Sequence, residues 1–380
     1  MHSNNQPKTV LYSLLGVFFF SCVTYINTHI TPPFLLSKGI FSNGADSLEL
    51  VEMLGYILAG FTLTQLVNIV TNKKIILFSI FILIICTSSL KFIYDYNIFR
   101  LNFSIMGIAT YSYLTITVLE IIEFSGNKKS LSLAAVFLFW IAGHFTVDYI
   151  VEFLPILMGH FLCITFYILS FIITLLHKEA IIKNKLSTSK FSWLVSNIEL
   201  QLLTGFMISY VTLVILWYYE AYALKEQLAL SAPWLVQHSM LKGIFFLTLP
   251  LAWLITKLNK YLANLILIIT LLVSFFLLPI YGNDININLY LLYVIGTCLY
   301  TIFICNILIL ADKFETKDFK TASLIYFTIC AIGMYAGALS SYISFDIISD
   351  QGFLFSVYSV IGTFILYYLW YFFRHRLYQK

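Results

Sequence analysis

The chain has 380 residues, 60% of them hydrophobic and 11% charged, with a mean hydropathy of +0.90 and a net charge of +4. This composition excludes a water-soluble protein of that length and leaves no room for a large soluble catalytic domain, because about 20 apolar residues cross the hydrocarbon core and about twelve such segments account for the chain. The small positive charge sits in loops and termini, so it speaks to topology and anionic lipid and gives no ground for a nucleic-acid partner.

Twelve apolar stretches follow one another, and helices are expected for all of them because a backbone in lipid must satisfy its own hydrogen bonds. The first, 10–29, ends in the polar run TYINTHITPP with Asn27 and His29; its length and the lack of an A-x-A-like cleavage site mark a retained helix, not a signal peptide. Stretches at 51–71 and 75–93 flank the loop LVNIVTNKK. The fourth, 98–124, opens near Arg100 and closes on Glu120 and Glu123, and the fifth, 131–153, carries His144, Asp148 and Glu152. After 156–176 comes the basic run HKEAIIKNKLSTSK at the midpoint of the chain. The second half gives 200–219 with Trp217, 234–256 with His238 and Lys242, 261–281, 287–311, 322–345 with Tyr335, and 352–373, whose YYLWYFF end reads as an interfacial belt beside Arg374 and Arg376. All six cysteines (Cys22, Cys86, Cys163, Cys298, Cys305, Cys330) fall inside these stretches without CxxC or Cys/His spacing, so neither a disulfide framework nor a metal site is expected.

Charges repeat between the halves. Glu120, Glu123 and Lys128 stand at offsets of zero, three and eight, and Asp312, Glu315 and Lys320 repeat those offsets about 192 positions later. Two copies of one membrane-embedded unit are therefore expected, which points first to a transporter. With the amino terminus cytoplasmic, 17 of the 22 lysines and arginines fall on that side, leaving Lys38, Lys91, Arg100, Lys225 and Lys242 for the far side and the interior. The positive-inside rule then puts both termini in the cytoplasm, and usage rich in Ile, Asn, Lys and Phe points to a bacterial inner membrane. The expected fold is an all-α polytopic membrane protein with a six-helix bundle at 1–177, a cytoplasmic linker at 178–197 and a second six-helix bundle at 198–380.

Over nearly its whole length the chain resembles the major facilitator superfamily. Members have two pseudo-symmetric six-helix bundles, a cytoplasmic linker between helices six and seven, and a central site reached alternately from each side, and the resemblance implies the same twelve-helix arrangement here. The family's G-x-x-x-D-R-x-G-R-R-K loop is matched by LVNIVTNKK, with Asn68 at the acid position and Lys73 and Lys74 in the basic run. Its counterpart is LITKLNKY, with Thr256 at the acid position and Lys257 and Lys260 as the basic residues. Arg100 in FRLNFSIMG resembles the arginine that the family's exporters use in proton coupling. AGHF around Gly143 and GMYAGALSS from Gly333 stand where antiporters carry a glycine-rich element, here without its proline. By the same resemblance Glu120, Glu123, Asp312 and Glu315 belong to an inner-gate charge network; solvated helix ends balanced by nearby lysines are the plainer account of these acids.

Ionisable groups inside the stretches carry the strongest expectation of chemistry. His144, Asp148 and Glu152 lie four apart on one helical face, drifting by about 40° per step. His238 and Lys242 are also four apart, and a lysine roughly 12 Å below its helix end costs about 3 kcal/mol in lipid unless it faces a partner or a wet cavity. Asp148 or Glu152 is expected to pair with Lys242 in one state of a transport cycle, with His144 and His238 relaying a proton. The alternative leaves both acids at the water interface, packs His144 in the core and lets Lys242 reach outward; Arg100 divides likewise between coupling and headgroup contact. Asn27, His29, Tyr111, Trp217 and Tyr335 are candidate substrate contacts, and Tyr25, Tyr113 and Tyr326 are among the aromatics expected to line an apolar cavity. Scarce charge disfavours polyanionic substrates, and no Walker-type loop supports ATP-driven transport. The expected activity is secondary active transport by a monomer without cofactor, coupled to protons or another ion and moving a small molecule, first as efflux of a hydrophobic or mixed-polarity compound such as a drug, siderophore or metabolite. Proton-coupled uptake of an amino acid or nucleoside is the second reading. A polytopic glycan polymerase or acyltransferase is the third, disfavoured by the short outer loops.

Overall fold

The computed structural model describes residues 6–39, 42–67, 69–151, 155–176, 191–226, 232–280, 285–347, 358, 361–371 and 373. Its helices are α1 (Gln6–Ser37), α2 (Ser42–Leu66), α3 (Asn72–Ser89), α4 (Tyr96–Phe124), α5 (Lys129–Val151), α6 (Ile156–Leu176), α7 (Phe191–Asn197), α8 (Glu199–Glu226), α9 (Ala232–Ile255), α10 (Lys260–Ile280), α11 (Ile285–Lys313), α12 (Thr316–Ile347) and α13 (Ile361–Tyr371). Among the described residues nine helices are long and apolar enough to cross a membrane, and shorter apolar runs span Met240–Ile255 and Ile361–Tyr371.

Several helices overrun the apolar stretch that announces them. α2 starts at Ser42, well before the apolar run at 51, and α1 extends to Ser37. Apolarity marks where lipid lies, whereas a helix ends where its terminal amides and carbonyls find other partners. Two starts are fixed by side chains in this way. Asp95 accepts from the backbone N–H groups of Asn97 at 2.8 Å and Ile98 at 3.2 Å to begin α4. Asn259 accepts from the N–H groups of Tyr261 at 3.0 Å and Leu262 at 3.4 Å to begin α10. Each replaces water for amides that have no partner within their helix.

Two compact units divide the chain, Met1–Ser187 and Thr188–Lys380. In the first, α1 packs on α5 and α6, α2 on α4, and α3 on α4 and α6. In the second, α8 packs on α12, α9 on α11, and α10 on α11. The same pairings thus recur, and glycines pin them. A Cβ on Gly55 or Gly107 would come closer than 3.0 Å to the backbone of Ser104 or Glu52, where α2 crosses α4. A Cβ on Gly243 or Gly296 would do the same to Tyr293 or Met240, where α9 crosses α11. Gly143 of α5 meets the Phe18 carbonyl of α1, and Gly333 of α12 meets the Phe206 carbonyl of α8. In lipid, where apolar contact alone gives helices little reason to associate, such close backbone approach holds pairs together.

These crossings put equivalent positions 188 (Gly55 and Gly243), 189 (Gly107 and Gly296) and 190 (Gly143 and Gly333) residues apart. The charge repeat at 192 is therefore one helical turn out of register. On α4 and α11 the equivalent of Asp312 is Glu123, and Glu120 stands opposite Ile309. The contacts agree: Asn72 at the start of α3 donates to Glu123 at 3.4 Å, and Lys260 at the start of α10 pairs with Asp312. Charges at a solvated helix end can slide by a turn, whereas a glycine against a carbonyl cannot.

The cores are aromatic and aliphatic. Phe20 stacks on Tyr113 at 4.3 Å and meets Tyr167 at 5.9 Å in the first unit. Val211, Ile268, Leu271, Ile295 and Ile302 are fully buried in the second. Tyr25, Tyr113 and Tyr326, expected along a cavity, are 2% exposed or less inside their own units. The six cysteines are free and buried.

Candidate functional site

α1 and α5 share a run of polar contacts in the first unit. Ser21 Oγ donates to the Trp140 carbonyl, and Cys22 Sγ donates to the Gly143 carbonyl at 3.5 Å. One turn further on, Tyr25 Oη donates to Asp148 Oδ1. The contacts climb along both helices together, so the two run in the same direction. Residues 18, 21, 22 and 25 on α1 and 140, 143, 144 and 148 on α5 follow the three-and-four spacing of one helical face. Gly143 allows the close approach, and the approach brings the Tyr25 hydroxyl within reach of Asp148.

His144 completes the group. It is 8% exposed, and its ring lies 4.9 Å from that of Tyr25 and 5.6 Å from that of Trp140. A carboxyl, a phenol and an imidazole thus share one helix interface. Tyr25 fixes the position of the Asp148 carboxyl by donating to it, and the His144 imidazole packs against the same tyrosine ring. Among the described residues the second unit has no such cluster at this interface: the crossing register sets Leu213, Met334 and Ala338 opposite Tyr25, His144 and Asp148. The interface folds without these polar groups in one unit, so packing does not explain them in the other.

The remaining candidates are spread. Lys242 lies exposed on α9, directly before the Gly243 crossing, and Arg100 lies exposed on α4. Glu120 is 4% exposed and accepts from Ser13 Oγ at 3.3 Å, so it sits inside the first unit and not at a helix rim. Glu315 is exposed, and Asp312 is 57% exposed in its pair with Lys260. Asn27 accepts from Cys163 Sγ at 3.3 Å, Tyr111 stacks on Tyr56 at 5.3 Å, and Tyr335 is half-buried on α12. Glu152, Asn68 and the basic run 177–190 fall outside the described residues, as do the side chains of His29, Trp217 and His238.

Sequence reasoning picked out Asp148 and His144 but looked for the partner of Asp148 on another stretch. The donor found here is Tyr25 on α1, which nothing in the sequence sets apart from the other tyrosines. Glu52 was also missed; it accepts from Tyr56 Oη at 3.1 Å, and the four-residue spacing of an acid and a tyrosine was its signal. Met240 stands opposite it in the second unit.

No protein-family model matches the chain. A protein of Rickettsia prowazekii (strain Madrid E), uncharacterized protein RP255, is 44% identical over 380 residues, covering 100% of both chains. Among solved structures, the proton:xylose symporter XylE bound to 6-bromo-6-deoxy-D-glucose is similar with a TM-score of 0.76 and 12% identity, covering 98% of this chain and 96% of that one. A crystal structure of the E. coli fucose:proton symporter FucP is similar with a TM-score of 0.72 and 13% identity over 96% of this chain and 99% of that one. The human organic anion transporter MFSD10 (TETRAN) has a TM-score of 0.64 and 12% identity over 97% and 99%.

Proposed function

We propose that this chain, which belongs to one family with the Rickettsia prowazekii protein and has the major facilitator superfamily fold of twelve helices in two six-helix bundles, is a proton-coupled secondary active transporter and not an enzyme. The observation that carries the proposal is the Tyr25–His144–Asp148 cluster: ionisable groups at a helix interface whose three equivalent positions in the other unit, Leu213, Met334 and Ala338, are apolar. Ionisable side chains within membrane spans are costly and mark ion pathways. Asp148 takes up and releases the coupling proton, Tyr25 holds the carboxylate in place, and His144 passes the proton on. Lys242 and Arg100 are the further charged groups assigned to the cycle. The contacts of Glu123 with Asn72 and of Asp312 with Lys260 tie paired helices together at their ends, a gate role that requires them to break and re-form. Both termini are assigned to the cytoplasm, the protein to the inner membrane as a monomer, and the bundles to 1–177 and 198–380.

Export of a hydrophobic or mixed-polarity compound is the direction proposed from the aromatic, charge-poor composition. Proton-coupled uptake is the second reading, favoured by the fucose:proton and proton:xylose symport of two similar structures. The test is a comparison of two modes in proteoliposomes, using sugars, amino acids, nucleosides and hydrophobic cations as labelled probes. Asp148→Asn is expected to keep substrate exchange at equal pH and lose net movement driven by a pH gradient, and the sign of the gradient that drives accumulation gives the direction. Unchanged pH-driven accumulation in Asp148→Asn rules out the proposed role.

A further inference from the structure

A buried acid, Glu120, lies apart from that cluster. On α4, Tyr113, Thr117 and Glu120 share one face, each three or four residues from the next. α1 brings Ser13 and Gly16 against them and α6 brings Thr174, and together they line a cavity of about 10 Å³. That is room for about one water-sized sphere. The polar groups around it are held in place. Glu120 is 4% exposed, Tyr113 1%, Thr117 2% and Thr174 8%. Ser13 Oγ donates to Glu120 Oε2 at 3.3 Å, and Tyr113 Oη lies 3.3 Å from Ser170 Oγ. A Cβ on Gly16 would stand 2.8 Å from Tyr113 Oη, so α1 carries no side chain where that hydroxyl needs the space.

We propose that this cavity binds a small monovalent cation of sodium size, with Glu120 as its charged ligand and the hydroxyls of Ser13, Thr117 and Tyr113 as neutral ones. Three features select that ligand. The donor set is oxygen, with no imidazole or sulfur among the lining residues, and such donors suit hard cations over transition metals. The site contributes one carboxylate, so a single positive charge leaves it neutral, whereas a divalent ion leaves a net charge inside an apolar bundle, where unbalanced charge is costly. The volume admits a bare small ion and not a hydrated one. Nor is the acid a requirement of the fold, because Ile309, 3% exposed, occupies the equivalent position on α11.

The test uses the full-length protein purified in detergent and the metal alone. Unfolding temperature is measured against sodium chloride, with choline chloride holding the ionic strength and potassium chloride as the size control. A saturable rise of about 3 °C with sodium, less with potassium and none with choline is expected. Glu120→Gln is expected to abolish the rise and Ser13→Ala to shift it to higher sodium, while Asp148→Asn, remote from the cavity, keeps it. Binding of radioactive sodium to wild-type protein gives a second readout that does not depend on any variant folding. Equal responses to sodium and choline in the wild type overturn the proposal. So does a sodium response that survives intact in Glu120→Gln, or stabilisation by acid pH with no sodium effect, which leaves Glu120 as a protonated core residue.

Discussion

Replacing Gly55 or Gly243 by alanine probes the repeat where it is tightest. An added Cβ at Gly55 runs into the Ser104 carbonyl of α4, and one at Gly243 runs into the Tyr293 carbonyl of α11. The obstacle in each case is backbone, so a helix must move; overpacking of this kind costs about 1–3 kcal/mol. Alanine recovers about 1 kcal/mol of helix propensity, which leaves a net loss of up to about 2 kcal/mol. In a cooperative unit of this size that lowers the unfolding temperature by up to about 8 °C. Gly362 is the control, since among the described residues no atom beyond its own helix backbone and chain neighbours lies within 4 Å of its added Cβ, and Gly362→Ala is expected to leave the temperature unchanged or raise it. Fluorescence-monitored unfolding in detergent reads all three. Gly55→Ala and Gly243→Ala should fall by similar amounts because their surroundings are equivalent. If both rise as Gly362→Ala does, the crossings do not hold the units together and the repeat register drawn from them is wrong.

Further outcomes follow from single contacts. Tyr25→Phe removes the hydroxyl that donates to Asp148 and is expected to lower stability by about 1.5–3 kcal/mol and to slow pH-driven flux; both are read on one preparation, and an unchanged protein means that the bond is dispensable. Lys260→Ala breaks a pair whose partners are 26% and 57% exposed, so stability should change by less than about 1 kcal/mol, read by the same unfolding measurement. The six buried cysteines should react with a maleimide only slowly in folded protein and completely after denaturation in detergent such as dodecyl sulfate, counted by mass spectrometry.

Hydropathy alone located the helices, because the bilayer permits few other backbones, and the doubling of the chain was visible in its charges. The register was not. Asp312 matches Glu120 in spacing, yet the helix crossings equate it with Glu123, since close glycine contacts constrain position more tightly than solvated charges do. At the site, Asp148 and His144 stood out as ionisable groups four apart on an apolar helix. Their partner Tyr25 did not, because one tyrosine among 26 carries no mark of what it faces. Glu120 looked like a helix-end acid, and only the packing of α1 and α6 around it reveals a buried carboxylate.

Proton coupling through Asp148 is tested most directly by solid-supported-membrane electrophysiology on oriented proteoliposomes, applying sugars, amino acids, nucleosides and hydrophobic compounds with and without a pH step. The account predicts a substrate-induced current in the wild type that grows with the pH gradient and vanishes in Asp148→Asn. A substrate-induced current indifferent to the pH gradient and undiminished in Asp148→Asn contradicts it.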